Sequence, residues 1–248
     1  MLARVVSFVY WSAVVLASFV MFPLAALIRL LTMPFDRRRA VLHQFTCFWA
    51  ALYTWFSPMW SVRVRGRENL KAGGPFVVVA NHQSTVDIFA THRLFWHFKW
   101  VAKEAMFKVP LIGWNMRLNR YIPIRRGDRK SVVEMFSRCK EALSQGSSVI
   151  IFPEGTRSED GNLLPFKAGA FDLARRENMP ILPLVIQGTL KALPPFGFIK
   201  SRARIRVSVL PVWSAEKVQS MSVEELTAQV RDEMAAYLVD EPWPPAAG

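Results

Sequence analysis

Two short runs carry most of the residues able to do chemistry. The first is NHQSTVD at 81–87, in which Asp87 follows His82 by five positions. A carboxylate that accepts a proton from one imidazole nitrogen fixes the other as an acceptor, able to take a proton from a hydroxyl. That is the base-and-orienter half of a triad, with no protein nucleophile placed beside it. The spacing alone leaves a second reading open, in which Asp87 caps the helix that follows. The second run is FPEGTRS at 152–158. Gly155 permits positive φ or close backbone approach, and Thr156 supplies a hydroxyl. Arg157 offers a planar fork suited to phosphate, and Glu154 can orient Arg157 or a substrate hydroxyl. Pro153 and Gly155 would serve an ordinary strand-to-loop turn equally well.

Further cations sit where strands are expected to end. Lys103 follows the strand at 99–102, and Arg125 and Arg126 follow the one at 121–124. If those strands are parallel, Lys103, Arg126 and Arg157 converge near His82, and three cations around one spot suit a phosphate monoester. The competing reading is a solvated basic surface, the class to which Arg129 and Lys130 belong.

The elements that must position these groups follow from hydropathy patterning. Residues 61–67 alternate as a half-exposed strand, while PFVVVA at 75–80 and SVIIF at 148–152 read as buried strands. Further strands are expected at 181–187 and 204–210. Helical segments are expected at 87–94, 111–118, 129–144, 166–177 and 223–238. Strands alternating with helices argue for one α/β domain, a single central and mostly parallel sheet flanked by helices, with its site beyond the carboxyl ends of the strands. The Pro-rich stretch 241–248 is expected to be disordered.

Before residue 61 the texture is different. Residues 5–28 hold 24 positions without a charge, enough for a helix to cross a hydrocarbon core of about 30 Å. A second uncharged stretch, 40–60, is rich in Trp and Tyr, which favour the membrane–water interface. Asp36, Arg37, Arg38 and Arg39 lie between them. The apolar run is too long for a cleavable signal peptide and lacks a convincing cleavage site. A two-span hairpin and an anchor lying in one leaflet, with its basic loop among anionic head groups, both remain, and the second is favoured. The expected organisation is therefore membrane-anchoring helices over 1–60, an α/β domain over 61–240 and the tail.

The 248 residues are 52% hydrophobic, which excludes a disordered chain, and carry a net charge of +13, which implies an anionic partner. Residues 1–60 account for +4 of this, so the globular part is itself cationic. Two cysteines, Cys47 and Cys139, exclude a disulfide framework and a Cys-rich zinc site.

Together these blocks resemble the glycerolipid acyltransferase superfamily, most closely its lysophosphatidic acid acyltransferases (1-acylglycerol-3-phosphate O-acyltransferases). The first block, Asn-His-four residues-Asp, is NHQSTVD at 81–87. The second is IPIRR at 122–126, where Arg126 matches the family's phosphate-binding Arg and Arg125 stands where an Asp is common. The third, FPEGTRS at 152–158, is the most specific. The fourth is ILPLVI at 181–186, centred on Pro183, and the segment from Lys103 through Pro110 to Gly113 also fits.

The resemblance covers about residues 60–215. It implies acyl transfer from a thioester, acyl-CoA or acyl carrier protein, to the 2-hydroxyl of lysophosphatidic acid, giving phosphatidic acid for phospholipid synthesis. His82 would be the general base and Asp87 its orienter, with no acyl-enzyme. Lys103, Arg126 and Arg157 would hold the phosphate, aided by Glu154, Gly155 and Thr156. No metal and no further cofactor are implied, and the expected place is the cytoplasmic face of a bacterial inner membrane, among membrane lipids. The nearest alternative is the same chemistry on a lysophospholipid or lyso-ornithine lipid. A different class is a noncatalytic binder of anionic lipid or nucleic acid, disfavoured because no nucleic-acid module is recognisable.

Overall fold

The protein is described by a computed structural model that covers residues 2–193, 199 and 202–240. The Pro-rich tail expected at 241–248 lies outside the described residues. In chain order the helices and strands are α1 (Leu2–Thr32), α2 (Ala40–Trp55), β1 (Trp60–Arg65), β2 (Val77–Ala80), α3 (Val86–His92) and β3 (Phe98–Lys103). Then come α4 (Ile112–Leu118), β4 (Ile122–Ile124), α5 (Arg129–Ser144), β5 (Ser148–Ile151) and α6 (Gly169–Arg176). The chain closes with β6 (Ile181–Gln187), α7 (Thr189–Ala192), β7 (Ala203–Val209), α8 (Ala215–Gln219) and α9 (Val223–Asp240).

Among the described residues seven strands form one sheet in the order β1-β7-β6-β2-β5-β3-β4. It is parallel except between β6 and β7, which run antiparallel. The sheet is therefore the mostly parallel one expected, with helices on both faces. β2 sits between β6 and β5, and its four residues are all buried, which is why it reads as an unbroken apolar run. Alternation sorts the two faces. Val78, Ala80, Ile150, Leu182 and Leu184 face a core shared with α1, α2 and α3. Val77, Val79, Val149, Ile181 and Val185 face a second core under α5, α6 and α9. Pro183 fits inside β6 because the antiparallel ladder breaks there. Ile181 bridges Trp213, Leu184 pairs with Val209, and between them Leu210 N–H donates to the Pro183 carbonyl at 3.0 Å.

In β7 the charges Arg204 and Arg206 alternate with Ile205, Val207 and Val209, yet Arg206 is fully buried. Its Nε and Nη2 donate to Gln187 Oε1 at 3.0 and 2.7 Å, and its guanidinium lies over the Tyr237 ring. The helix α9 covers that end of the sheet and removes the face from water.

Residue 60 is not a packing boundary. The second helix, α2, places Leu42, Trp49 and Tyr53 in the same core as the sheet. In α1, Tyr10, Val14, Ser18 and Ala25 form a buried stripe at helical spacing. Tyr10 Oη donates to the Tyr53 carbonyl at 2.8 Å, Ser18 Oγ lies 2.7 Å from Tyr53 Oη, and Phe22 meets Trp114 edge-on. The opposite side of α1 exposes Phe8, Leu16, Phe19, Leu30 and Leu31. Among the described residues α1 is the one helix long and apolar enough to cross a membrane.

Candidate active site

β2 delivers His82 to the carboxyl edge of the sheet, and Asn81 fixes the exit. Its Nδ2 donates to the Ile186 carbonyl at 2.8 Å and its Oδ1 accepts from Ile186 N–H at 2.7 Å, so the side chain continues the pairing with β6 after β2 has ended. The chain is then free to turn over the sheet edge. His82 Nδ1 lies 2.8 Å from Asp87 Oδ2. The same oxygen accepts the backbone N–H of Gln83 at 2.7 Å and of Ser84 at 2.9 Å. Asp87 is not the cap of α3, whose N-cap is Thr85 with no side-chain cap bond; it lies in the first turn of α3 as a buried carboxylate that closes the preceding turn and also fixes the imidazole. With Nδ1–H donated to Asp87, Nε2 carries the lone pair, and among the described residues no hydrogen bond engages it. The His82 side chain is 13% exposed, and its ring stacks on Phe152 with centroids 4.0 Å apart and planes 9° apart. Phe152 leans in turn on Trp100. The imidazole therefore has its plane set by packing and its tautomer set by Asp87.

The turn after β5 clasps this loop. Glu154 Oε1 accepts His82 N–H at 2.8 Å, and Ser158 N–H donates to the His82 carbonyl at 2.8 Å, so both backbone groups of His82 are held by the FPEGTRS run. Glu154 Oε2 accepts Leu164 N–H at 3.1 Å. Sequence reasoning placed Glu154 against Arg157 or a substrate hydroxyl. In the structure Glu154 is 4% exposed, each of its oxygens accepts a backbone N–H, and it makes no hydrogen bond to Arg157. Burial pushes the Glu154 carboxyl up to about 7, against the lowering effect of those two N–H donors. Gly155 adopts φ +72° and packs against the Lys167 ammonium, and a Cβ there would stand 2.7 Å from Lys167 Nζ. Arg157 Nη1 donates to Thr85 Oγ1 at 3.3 Å, which brings the guanidinium to the His82 loop, and Thr156 is exposed beside it.

The other expected cations occupy the same edge at larger lateral distance. Lys103 ends β3 opposite Ile124 of β4, and Arg125 and Arg126 follow β4; all three are exposed. β3 is two strand positions from β2 and β4 is three, or about 10 and 14 Å across the sheet. Arg157 is therefore the cation that the fold brings to the His82 loop, while Lys103 and Arg126 stand farther out along the same edge. Arg125 bonds Glu104 at 3.1 Å and Asp128 at 3.1 Å, an exposed surface network. Among the described residues Lys103, Arg126, Arg157 and Lys167 have no carboxylate within ion-pair distance. Sequence reasoning missed Lys167. It lies 12 positions beyond Gly155, and no spacing rule links the two.

A second cluster of chemistry-bearing groups lies between α2 and α3. The ligand atoms of His43, Cys47 and His92 fall within 4.8 Å of one another. Hydrogen bonds occupy all four imidazole nitrogens. His43 meets Tyr121 Oη at 2.8 Å and the Trp96 carbonyl at 3.0 Å, and His92 meets the Ile88 carbonyl at 2.7 Å and Trp100 Nε1 at 3.4 Å. Burial raises the Cys47 thiol to about 12. The cluster is a polar knot that ties α2 to the sheet.

A sequence model of the acyltransferase family matches residues 61–187. A 1-acyl-sn-glycerol-3-phosphate acyltransferase from Brassica napus, a chloroplastic protein, is 40% identical over 162 residues, covering 64% of this chain and 46% of that protein. One from Helicobacter pylori is 32% identical over 164 residues, covering 64% of this chain and 68% of that protein. The chain spans about half the length of the plant relatives it matches. The solved structure of the 1-acyl-sn-glycerophosphate (LPA) acyltransferase PlsC from Thermotoga maritima superposes with a TM-score of 0.75. That match runs over 97% of this chain and 99% of that one at 24% identity, which shows a shared fold. The family match spans the strands and turns that carry His82, Asp87 and the FPEGTRS run, and on that ground the chain belongs to the acyltransferase family.

Proposed function

We propose that this protein transfers a fatty acyl group from a thioester to the 2-hydroxyl of lysophosphatidic acid, giving phosphatidic acid. The observation that carries the reading is the His82–Asp87 pair, with a free Nε2, at a sheet edge where Arg157 stands without a carboxylate partner. The names of the Brassica and Helicobacter relatives supply the substrate class.

In this mechanism Nε2 of His82 takes the hydroxyl proton as the oxygen attacks the thioester carbonyl carbon. Asp87 stabilises the imidazolium that results. The tetrahedral intermediate collapses, the C–S bond breaks, and the leaving thiolate takes the proton from His82, which restores the base. The oxyanion needs donors, and the backbone N–H groups of Thr156 and Arg157 have no acceptor among the described residues. Arg157 holds the acceptor's phosphate, Lys103 and Arg126 approach from β3 and β4, and Lys167 adds a fourth cation. The donor is acyl-CoA or acyl carrier protein, and no metal or further cofactor takes part.

The same proposal places the protein on a membrane, at the cytoplasmic face of a bacterial inner membrane where acyl thioesters are made. One side of α1 is committed to the domain from Ser7 to Ala25, so its exposed side suits burial in one leaflet. That arrangement keeps the sheet edge within reach of a lipid acceptor.

An acceptor panel tests the reading. Labelled acyl thioester should acylate lysophosphatidic acid in preference to lysophospholipids that lack a terminal phosphate. Equal rates across the panel would remove the assigned acceptor.

A further inference from the structure

A second cluster of cations lies at the opposite edge of the sheet from His82. The turn between α1 and α2, with Arg120 ahead of β4 and Gln145 ahead of β5, frames a cavity of about 760 Å³ lined by Arg29, Arg37, Arg38, Arg39 and Arg120. Its one carboxylate, Asp36, is already committed to the start of α2, accepting the N–H groups of Ala40, Val41 and Leu42 at 2.7, 3.0 and 3.4 Å. Arg39 is 7% exposed, and its Nε has no hydrogen-bond partner; neither does the buried Nη1 of Arg29. Lys99 stands behind them with its ammonium on the Arg38 and Asn119 carbonyls at 2.6 and 2.8 Å. Burial lowers the Lys99 pKa to about 7, and the nearby arginines press it the same way; burial and Arg29 do likewise to Arg39. Arg39 and Arg120 also hold left-handed backbone, at φ 63° and 53°, which an arginine rarely adopts.

Buried guanidinium donors without acceptors are costly unless an anion meets them. The mouth of the cavity includes Met33 and Phe35, which are 59% and 70% exposed, and continues into exposed Leu30 and Leu31 of α1. The opening is thus cationic inside and apolar at the rim, the reverse of what a free soluble anion requires. We propose that this cavity binds the phosphate of an anionic glycerophospholipid, with the lipid's acyl chains lying along the exposed end of α1. The site is separate from the acyl-transfer centre and sets the tilt of the domain on the membrane by gripping one head group.

The test uses the full chain in detergent micelles, titrated with short-chain phosphatidylglycerol, phosphatidate or phosphatidylcholine and read by native mass spectrometry. The native chain should retain one phosphatidylglycerol or phosphatidate at least about tenfold more tightly than phosphatidylcholine, the size expected of charge-assisted hydrogen bonds. The double variant Arg39→Asn, Arg120→Asn should lose that preference. Asparagine tolerates both left-handed positions, so the backbone is spared, and a thermal melt checks that the fold survives. If the double variant fails to fold, Arg120→Asn alone, at an exposed position, should weaken retention of the anionic lipid. Equal retention of anionic and zwitterionic lipids by the native chain would overturn the proposal. So would unchanged retention in a folded variant. Displacement of the lipid by millimolar inorganic phosphate alone would assign the cavity to a free anion instead, and would equally overturn it.

Discussion

Glu154 offers the sharpest check on how the site is held. Its carboxyl is buried and pushed up to about 7 from an ordinary 4.5. Below pH 4.5 both the folded and unfolded chains carry it protonated, and the folded state bears no penalty. Between 4.5 and about 7 the unfolded chain ionises it while the folded chain keeps the proton, so stability falls as pH rises. By about pH 7.5 the loss totals about 3 kcal/mol for this one group. Glu154→Gln removes that titration while keeping the shape. The melting temperature of the variant, relative to the native chain, should therefore rise by roughly 5–10 °C between pH 5 and pH 8, for a difference of about 2.5 kcal/mol in a domain of this size. Thermal melts of the full chain in detergent at the two pH values give the answer directly. A gap that does not change with pH would refute the burial argument. Activity separates the two roles assigned to this residue. As a tether on the His82 backbone, Glu154→Ala should lower kcat with little change in KM for the acceptor. A rise in KM alone would return Glu154 to the substrate-binding role read from sequence.

Other outcomes follow from the same geometry. Arg157→Gln should lower kcat/KM for lysophosphatidic acid roughly 10- to 150-fold, the worth of a charge-assisted hydrogen bond, and leave a phosphate-free acceptor unaffected. Arg126→Gln should have the smaller effect, because β4 stands about 14 Å across the sheet from β2; the reverse ranking in steady-state kinetics would contradict the placement. Gly155→Ala should cost about 1–2 kcal/mol of unfolding free energy, since an alanine must hold φ +72° there, and the new methyl must displace the Lys167 ammonium. An unchanged melt would show that the turn relaxes freely.

The parallel core was legible because both of its faces are covered. VVVA in β2 and SVII in β5 announce themselves as unbroken apolar runs, and α5 at Arg129–Ser144 matches its amphipathic pattern end to end. The His82–Asp87 pair was legible because both partners lie in one loop. Features that depend on what packs above the chain were not. Arg206 reads as exposed in β7 until α9 covers it. The backbone N–H groups of His82 and Leu164 that Glu154 accepts come from other loops and have no signal in its own run. Lys167 is a lone cation until Gly155 turns back beneath it. The N-terminal helices show the same limit. Hydropathy finds both stretches, but only packing reveals that α2 belongs to the core through Leu42, Trp49 and Tyr53, whereas α1 keeps one apolar side open.

The most direct test of the acyl-transfer account compares membranes holding the native chain with membranes holding equal amounts of His82→Ala, each given a labelled acyl thioester and lysophosphatidic acid. The account predicts phosphatidic acid from the native chain and a loss of at least about 100- to 10,000-fold in the variant, the range of general-base catalysis. Full activity in His82→Ala would contradict the mechanism, because no other imidazole stands at that edge of the sheet among the described residues.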